Sequence, residues 1–400
     1  MKPKIIILMH YMELGGAEIS LIGLLGALDP AKVDVDLFVY SHQGPLMKFI
    51  PGWVNLLPEI KAYSMLERPL RDVIRSGEAR VAAGRIVARF QHGAYARRRG
   101  PVDTVDDSIY QYIGSCLAPM LPAINPKQEY DLCISFLIPH NYGLKNVRAR
   151  KRIAWIHSDY STVHVNARKE LPVWGAYDYI ASISSDVSAS FLKTFPSLKD
   201  RIVEIENILS PGFVRNRSNE FSVESEMSGE IKMLSIGRFC YAKNFENIPL
   251  IASALVKNGC RNFKWYIVGY GDSKLILDNI SALGMENHVI ILGKKENPYP
   301  YIKACDIYVQ PSRYEGKSVT VREAQMLGKP VVVTAYPTAP SQIRHGVDGV
   351  IVPLDNEGCA RGLARFISDE PLRNRIAGNL GNLDFGNEAE VNKIYNLLGL

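Results

Sequence analysis

The sequence predicts an α/β protein made of two Rossmann-like, doubly wound domains that face each other across a cleft. Three observations point there. Short apolar, β-branched runs alternate with helical patterns along the chain. Most of these runs end in Gly, Ser, Pro or His, and they fall into two groups divided by a polar stretch. With 400 residues, 47% of them hydrophobic and 22% charged, there is material for two cores.

In chain order the first group is "KIIILMH", "VDVDLFVY", "DLCISFL", "RIAWIHS" and "YIASIS". The second is "KMLSIGRF", "WYIVGYG", "HVIILG", "IYVQPS", "VVVTA" and "GVIVP". Unbroken apolar runs of this kind suit parallel strands buried on both faces, which require helical crossovers between them. Between the groups, residues 210–230 ("SPGFVRNRSNEFSVESEMSGE") are polar with little periodicity and read as a linker. The expected domains are therefore 1–209 and 210–385. The final stretch, 386–400, contains the helical pattern "EAEVNKIYNLLGL", which suits packing back on either domain. In open α/β sheets ligands bind beyond the carboxyl ends of the strands, so chemistry is expected just after each run.

Several function classes are disfavoured. "MKPKIIILMH" reads as a first buried strand and not as a signal peptide, and no apolar run approaches the roughly 18–20 residues needed to span a bilayer. Six cysteines lie scattered without close pairs, which suits a reducing cytoplasm better than a disulfide framework or a zinc site. Eight histidines form no HExxH pattern. No metal and no nucleic-acid partner are expected. The net charge of +6 is concentrated: between Arg68 and Arg99 nine arginines face only Asp72 and Glu78, leaving the rest of the chain near −1. Leu70, Val73, Ile74, Val81, Ile86, Val87 and Phe90 recur there at near-helical spacing. A basic amphipathic helix suits an anionic membrane surface or an anionic substrate; a solvated helix face beside a core is the plain alternative.

Three stretches carry chemistry. In "MHYMELGGAEIS" a strand ends near His10 and a helix begins near Ala17, with Gly15 and Gly16 between them. Glycines let the backbone approach a ligand, and free N–H groups at a helix start favour phosphate. The stretch is not GxGxxG and lacks the acid that would hold an NAD ribose, which disfavours a dehydrogenase. In "SIGRFCYAKNFE" Arg238 follows a strand, and Lys243 is expected at the start of a helix. Two cations at a carboxyl end suit a diphosphate, although an ordinary solvated loop reads the same way. In "RYEGKSVTVREAQMLGKPVV" Glu315 lies on a loop after a strand. Gly316, Lys317 and Ser318 lead into a helix that Gly328 and Pro330 end. The amides of Ser318 and Val319 would hold a diphosphate. From Ser318 to Glu323 the helix rises on the order of 7–8 Å, so the two acids would bracket the anion and accept hydrogen bonds from sugar hydroxyls on either side.

Taken together these stretches resemble the retaining glycosyltransferases of family 4 (group 1), which have the GT-B fold. "PSRYEG…REAQMLGKPVV" is similar to their E-x7-E segment. "GGAE" at 15–18, "GR…KN" at 237–244, "NPYPYIKACDIYVQPSRYEG" at 297–316 and "HGVDGVIVP" at 345–353 follow the family in order. The resemblance covers most of the chain and is strongest from about 232 to 355. It implies an acceptor-binding N-terminal domain and a donor-binding C-terminal domain. It also implies a nucleoside-diphosphate sugar as donor, retained anomeric configuration, and no metal or cofactor. It places Glu315 near the donor sugar and Glu323 on the ribose hydroxyls. Arg238 and Lys243 would neutralise the departing diphosphate, and Gly16 would belong to the glycine loop over it. His157, in "WIHSDYS", would come to the donor sugar, and Asn207 matches an interdomain asparagine. Ser318 stands where a glycine is common, and Lys317 where an apolar or aromatic residue is common, so both touch donor choice. Bacterial members with "NPYPYIK"-like segments commonly build capsule, O-antigen or exopolysaccharide on lipid carriers. That setting, peripheral on the inner face of the plasma membrane, fits the basic stretch. A GT-B nucleotide-sugar epimerase and a non-catalytic nucleotide-sugar binding protein are the alternative readings.

Overall fold

The computed structural model describes residues 2–102 and 104–400. Two compact units emerge: Met1–Leu209 with Asn387–Leu400, and Ser210–Gly386.

The first unit is built on a seven-stranded sheet. Its strands are β1 (Lys4–Met9), β2 (Asp34–Val39), β3 (Asn55–Leu56), β4 (Tyr130–Ser135), β5 (Ala149–Ile156), β6 (Tyr179–Ser182) and β7 (Ile202–Glu204), in the order 3-2-1-4-5-6-7 and parallel throughout. Ile5, Ile6 and Ile7 of β1 are buried without alternation, as both faces of a central parallel strand require. Helix α1 (Gly16–Ala27) follows β1 and packs closely on the chain before the unit's end: a Cβ on Gly23 would run into the Ile208 carbonyl. The basic stretch forms α2 (Leu70–Arg75) and α3 (Ala79–Arg99), and α3 packs on α4 (Ser108–Leu117). The C-terminal helix Val391–Leu398 belongs to this unit, where Tyr395 accepts from the Asp29 amide at 2.6 Å and Asn387 holds both Leu209 and Asn207.

The second unit repeats the scheme with β8 (Ile231–Phe239), β9 (Phe263–Gly271), β10 (Val289–Gly293), β11 (Ile307–Gln310), β12 (Val331–Thr334) and β13 (Val350–Val352). The order is 10-9-8-11-12-13, again all parallel. Trp265 of β9 donates to Ser235 Oγ of β8 at 2.9 Å, and that hydroxyl donates to the Val309 carbonyl of β11 at 2.6 Å. Three strands are thereby tied through the core. In both sheets the chain winds outward from the first strand and then reverses, so the first and fourth strands flank the switch point where doubly wound sheets bind ligands.

The stretch 210–230 is not simply a linker. Ser210 caps α5 (Pro211–Ser218) through the Phe213 amide, with Pro211 at the first helical position. Val214, Arg217 and Ser218 are buried, and Asn297 Nδ2 reaches the Arg217 carbonyl at 2.8 Å. The expectation failed because polarity outweighed a Ser-Pro helix start. The crossover after β8 is α6 (Ile248–Lys257), and the one after β11 is α7 (Val319–Met326).

Candidate active site

Arg238 lies on β8 and Glu315 on the loop that follows β11, the two strands that flank the switch point of the second unit. Arg238 is the penultimate residue of β8, paired in register with Tyr270, rather than the first residue beyond the strand. Its guanidinium is exposed and has no ion-pair partner among the described residues. Lys243 does not start a helix. It ends a 3-10 turn, Tyr241–Lys243, because Asn244 adopts a left-handed conformation (φ 62°) and breaks the run; regular helix begins only at Ile248. Asn244 is buried and donates to the Pro311 carbonyl at 2.9 Å. Arg313 reaches back to the Tyr241 carbonyl and to Glu246, both at 2.6 Å. The loop carrying Lys243 and the loop carrying Glu315 are thus fastened to each other.

The consequence is a direct contact. Lys243 Nζ lies 2.6 Å from Glu315 Oε1, and its methylenes cover Gly237, where a Cβ would press on them. The same carboxylate oxygen accepts from Ser312 Oγ at 2.6 Å and Gln310 Nε2 at 3.2 Å. Thr338 Oγ1 donates to the Glu315 carbonyl at 2.9 Å. Donors from β11 and its following turn, together with Lys243, therefore fix the carboxylate of Glu315 in orientation, while Thr338 holds its main chain. A charge-assisted pair of this length is among the stronger hydrogen bonds.

Helix α7 begins at Val319, with Ser318 in the N-cap position but its hydroxyl turned to Thr320 Oγ1 and not to a helix amide. No protein acceptor takes the amides of Val319, Thr320 or Val321 among the described residues. The Ser318 amide, expected to be open for an anion, is occupied: Gln342 Oε1 accepts from it at 3.0 Å while Gln342 Nε2 donates to the Ser318 carbonyl at 2.7 Å. Gln342 has to move before that amide can serve a ligand. Nothing in the sequence pointed to Gln342, because the pairing is tertiary, across 24 residues. Lys317, half-buried, adjoins this turn.

Glu323 lies on the buried side of α7 and is only 1% exposed. Its Oε1 accepts from Tyr299 Oη at 2.7 Å. Burial pushes its carboxyl up to about 7, against the Tyr299 hydrogen bond, which favours the ionised form. A carboxylate buried, among the described residues, with one neutral donor and no cation is costly, and an amide or apolar side chain would fill the place more cheaply. Such a group is the kind retained for chemistry. The partner, Tyr299, stands in the "NPYPYIK" segment.

The remaining candidates lie in the first unit. Gly15 is the extended N-cap of α1, which starts at Gly16, and the Glu18 carboxylate folds back to where a Cβ on Gly15 would stand. His157 directly follows β5, its ring against Phe136 (4.6 Å) and stacked on Trp155 (6.0 Å between centroids). Burial holds the imidazole down at about 3, against smaller opposing influences of the Phe136 backbone and the Asn207 side chain. The histidine is neutral at pH 7. Its Nε2 and Asn207 Oδ1 are both enclosed without a hydrogen-bond partner among the described residues. The structure thus groups Arg238, Lys243, Glu315, Lys317, Ser318, Val319 and Glu323 in one unit, and Gly15, Gly16, His157 and Asn207 in the other.

Known proteins place this geometry in context. Residues 216–380 match the family model "Glycosyl transferases group 1". That span lies within the second unit and contains every candidate residue described there. Among curated relatives, an uncharacterised glycosyltransferase of Methanocaldococcus jannaschii, MJ1607, is 27% identical over 57% of this chain and 60% of its own length. The amylovoran biosynthesis glycosyltransferase AmsD of Erwinia amylovora is 27% identical over 52% of this chain and 59% of its own. A Campylobacter jejuni enzyme named as an N-acetylgalactosaminyltransferase acting on a sugar-diphospho-undecaprenol is 32% identical over 35% of this chain and 38% of its own. The chain spans about three fifths or less of the length of these relatives. Anabaena Alr3699/HepE, solved with UDP and glucose, aligns over all of both chains with a TM-score of 0.67 at 16% identity. The fold is GT-B, with two Rossmann-like domains.

Proposed function

We propose that this protein is a retaining glycosyltransferase that moves a sugar from a nucleoside diphosphate to an acceptor without a metal ion. The observation that carries this reading is the cluster in the second unit: the Lys243–Glu315 pair, the uncompensated Arg238 and the open amides of α7 beside the buried Glu323. A group 1 family match over the same residues supports it. Breaking a glycosyl–phosphate bond leaves negative charge on the diphosphate. Arg238, Lys243 and the amides of Val319–Val321 are the groups here suited to stabilise that charge as it grows. Lys243 leaves Glu315 to meet the phosphate, and Glu315, still held by Ser312 and Gln310, turns a free acceptor toward the sugar hydroxyls. Glu323 accepts from the ribose. Two carboxylates assigned to opposite sides of a diphosphate do not form the close pair of a retaining glycosidase, so attack beside the leaving phosphate is the proposed course.

The acceptor is proposed to be a lipid-linked sugar in surface-polysaccharide synthesis, met by the first unit in the cytoplasm. The names of the amylovoran and undecaprenol relatives support that choice. The test begins with a thermal-shift panel of nucleotide sugars, since a ligand of the native state raises its apparent stability. The stabilising donor is then incubated with polyprenyl-diphosphate sugars, with and without EDTA, and the product's anomeric configuration is read by NMR. An epimerised or inverted product refutes the reading, as does turnover that EDTA abolishes.

A further inference from the structure

Helix α3 carries two apolar faces, and among the described residues only one has a partner. Val81, Ala82, Gly84, Arg85 and Ala88 are buried, with Gly84 against Leu117 of α4. On the other side Ala83, Ile86, Val87 and Phe90 are exposed, at the i, i+3, i+4, i+7 spacing that lines up one stripe. Phe90 is 72% and Ile86 51% exposed, and Ile74 of the adjoining α2 is 59% exposed.

The arginines of this region sort themselves around the stripe. Arg85 is buried and donates to the carbonyls of Met65 and Arg68, while Arg99 pairs with Asp106 at 3.1 Å. Arg80, Arg89, Arg97 and Arg98 stay exposed, as do Arg71 and Arg75 on α2. At 100° per residue Arg80 falls at one end of the stripe and Arg97 and Arg98 at the other, roughly 26 Å apart along the axis. The 21-residue helix contains no acidic residue at all. Among the described residues no helix is long and apolar enough to cross a membrane.

From this arrangement we infer that α3 lies flat on an anionic lipid surface, with Ile86, Val87 and Phe90 entering the headgroup–acyl boundary and the arginines meeting lipid phosphates. An interfacial helix has this combination of apolar stripe and cationic flanks. A second copy of the chain fits the stripe poorly: it would bring Arg80, Arg89, Arg97 and Arg98 of both copies together with no helix carboxylate between them. The inference stands apart from the sugar-transfer reading, because it uses no residue of that site.

The test is co-sedimentation of the full chain with vesicles of phosphatidylcholine alone or with about 30% phosphatidylglycerol, at about 0.1 M and about 0.5 M salt. Binding is expected only to the anionic vesicles, weakening at the higher salt. Arg80→Gln/Arg89→Gln should cost roughly fivefold in partitioning per arginine. Ile86→Ser/Phe90→Ser should cost roughly tenfold at unchanged charge. Both pairs are on the surface, and an unchanged melting temperature establishes that each variant folds. Equal binding to neutral vesicles, no binding to either, or wild-type binding by the serine variant overturns the inference. So does a dimer in vesicle-free buffer that the serine variant turns into a monomer, since the stripe is then a self-interface.

Discussion

Substituting Glu323 by Gln separates the work of this carboxylate from its cost. Its carboxyl sits near 7 where an ordinary glutamate sits at 4.5. If only the ionised form accepts both ribose hydroxyls, the binding-competent fraction rises from about a tenth at pH 6 to about nine tenths at pH 8. Donor affinity should then rise about tenfold, or about 1.4 kcal/mol, across that range. The amide resembles the protonated acid. Glu323→Gln should therefore bind donor with a pH-independent affinity close to the wild type's at pH 6. Stability runs the other way. A raised carboxyl pKa gives stability that is complete below pH 4.5 and is lost as the pH climbs through 7. The variant escapes that loss and should gain up to roughly 3 kcal/mol at pH 8. Calorimetric titration with a nucleotide sugar, whose diphosphate diester does not titrate here, reads the first effect; urea unfolding at pH 6 and 8 reads the second. Wild-type affinity that is flat from pH 6 to 8 and equal to the variant's refutes the ribose role.

Further predictions rest on other atoms of the site. Arg238→Ala should lower kcat on the order of a hundredfold while changing donor affinity much less, because the leaving charge grows in the transition state; steady-state kinetics with saturating donor decide it. Gln342→Ala frees the Ser318 amide, so donor should bind more tightly, while loss of a two-point clamp costs roughly 1–2 kcal/mol in urea unfolding. A melting temperature and an affinity both unchanged would show that the clamp holds nothing. In the first unit, burial holds His140 and His157 down at about 3, so that stability is complete above pH 6.5 and is lost as the pH falls toward 3. Each costs about 1.4 kcal/mol per pH unit in that window. His157→Gln should halve the acid sensitivity contributed by the pair, measured as the pH dependence of unfolding free energy.

The fold was legible because its strands are buried on both faces. "KIIILMH" and "KMLSIGRF" carry unbroken apolar runs that only central parallel strands need, and both became the first strand of a 3-2-1-4-5-6 winding. Local chemistry was legible where it governs a single turn, as at Gly328, whose φ of 68° ends α7. It was misread where two local signals compete. Ser210 and Pro211 start a helix inside a stretch whose polarity suggested a linker, and the left-handed Asn244 delays the helix expected at Lys243. Contacts made across the fold were beyond reach. The clamp of Gln342 on Ser318, the Tyr299 hydroxyl on Glu323 and the closing of Lys243 onto Glu315 join residues 24 to 72 positions apart, and no periodicity encodes them. The charge count between Arg68 and Arg99 likewise could not show that Arg85 and Arg99 turn inward while a second apolar stripe stays outside.

The most direct test of the site is a crystal structure of the chain with the nucleotide sugar that stabilises it most in the thermal panel. The diphosphate is expected on the amides of Val319 to Val321, with Lys243 moved from Glu315 to a phosphate oxygen and the ribose hydroxyls on Glu323. A diphosphate bound away from α7, with the Lys243–Glu315 contact intact, contradicts it.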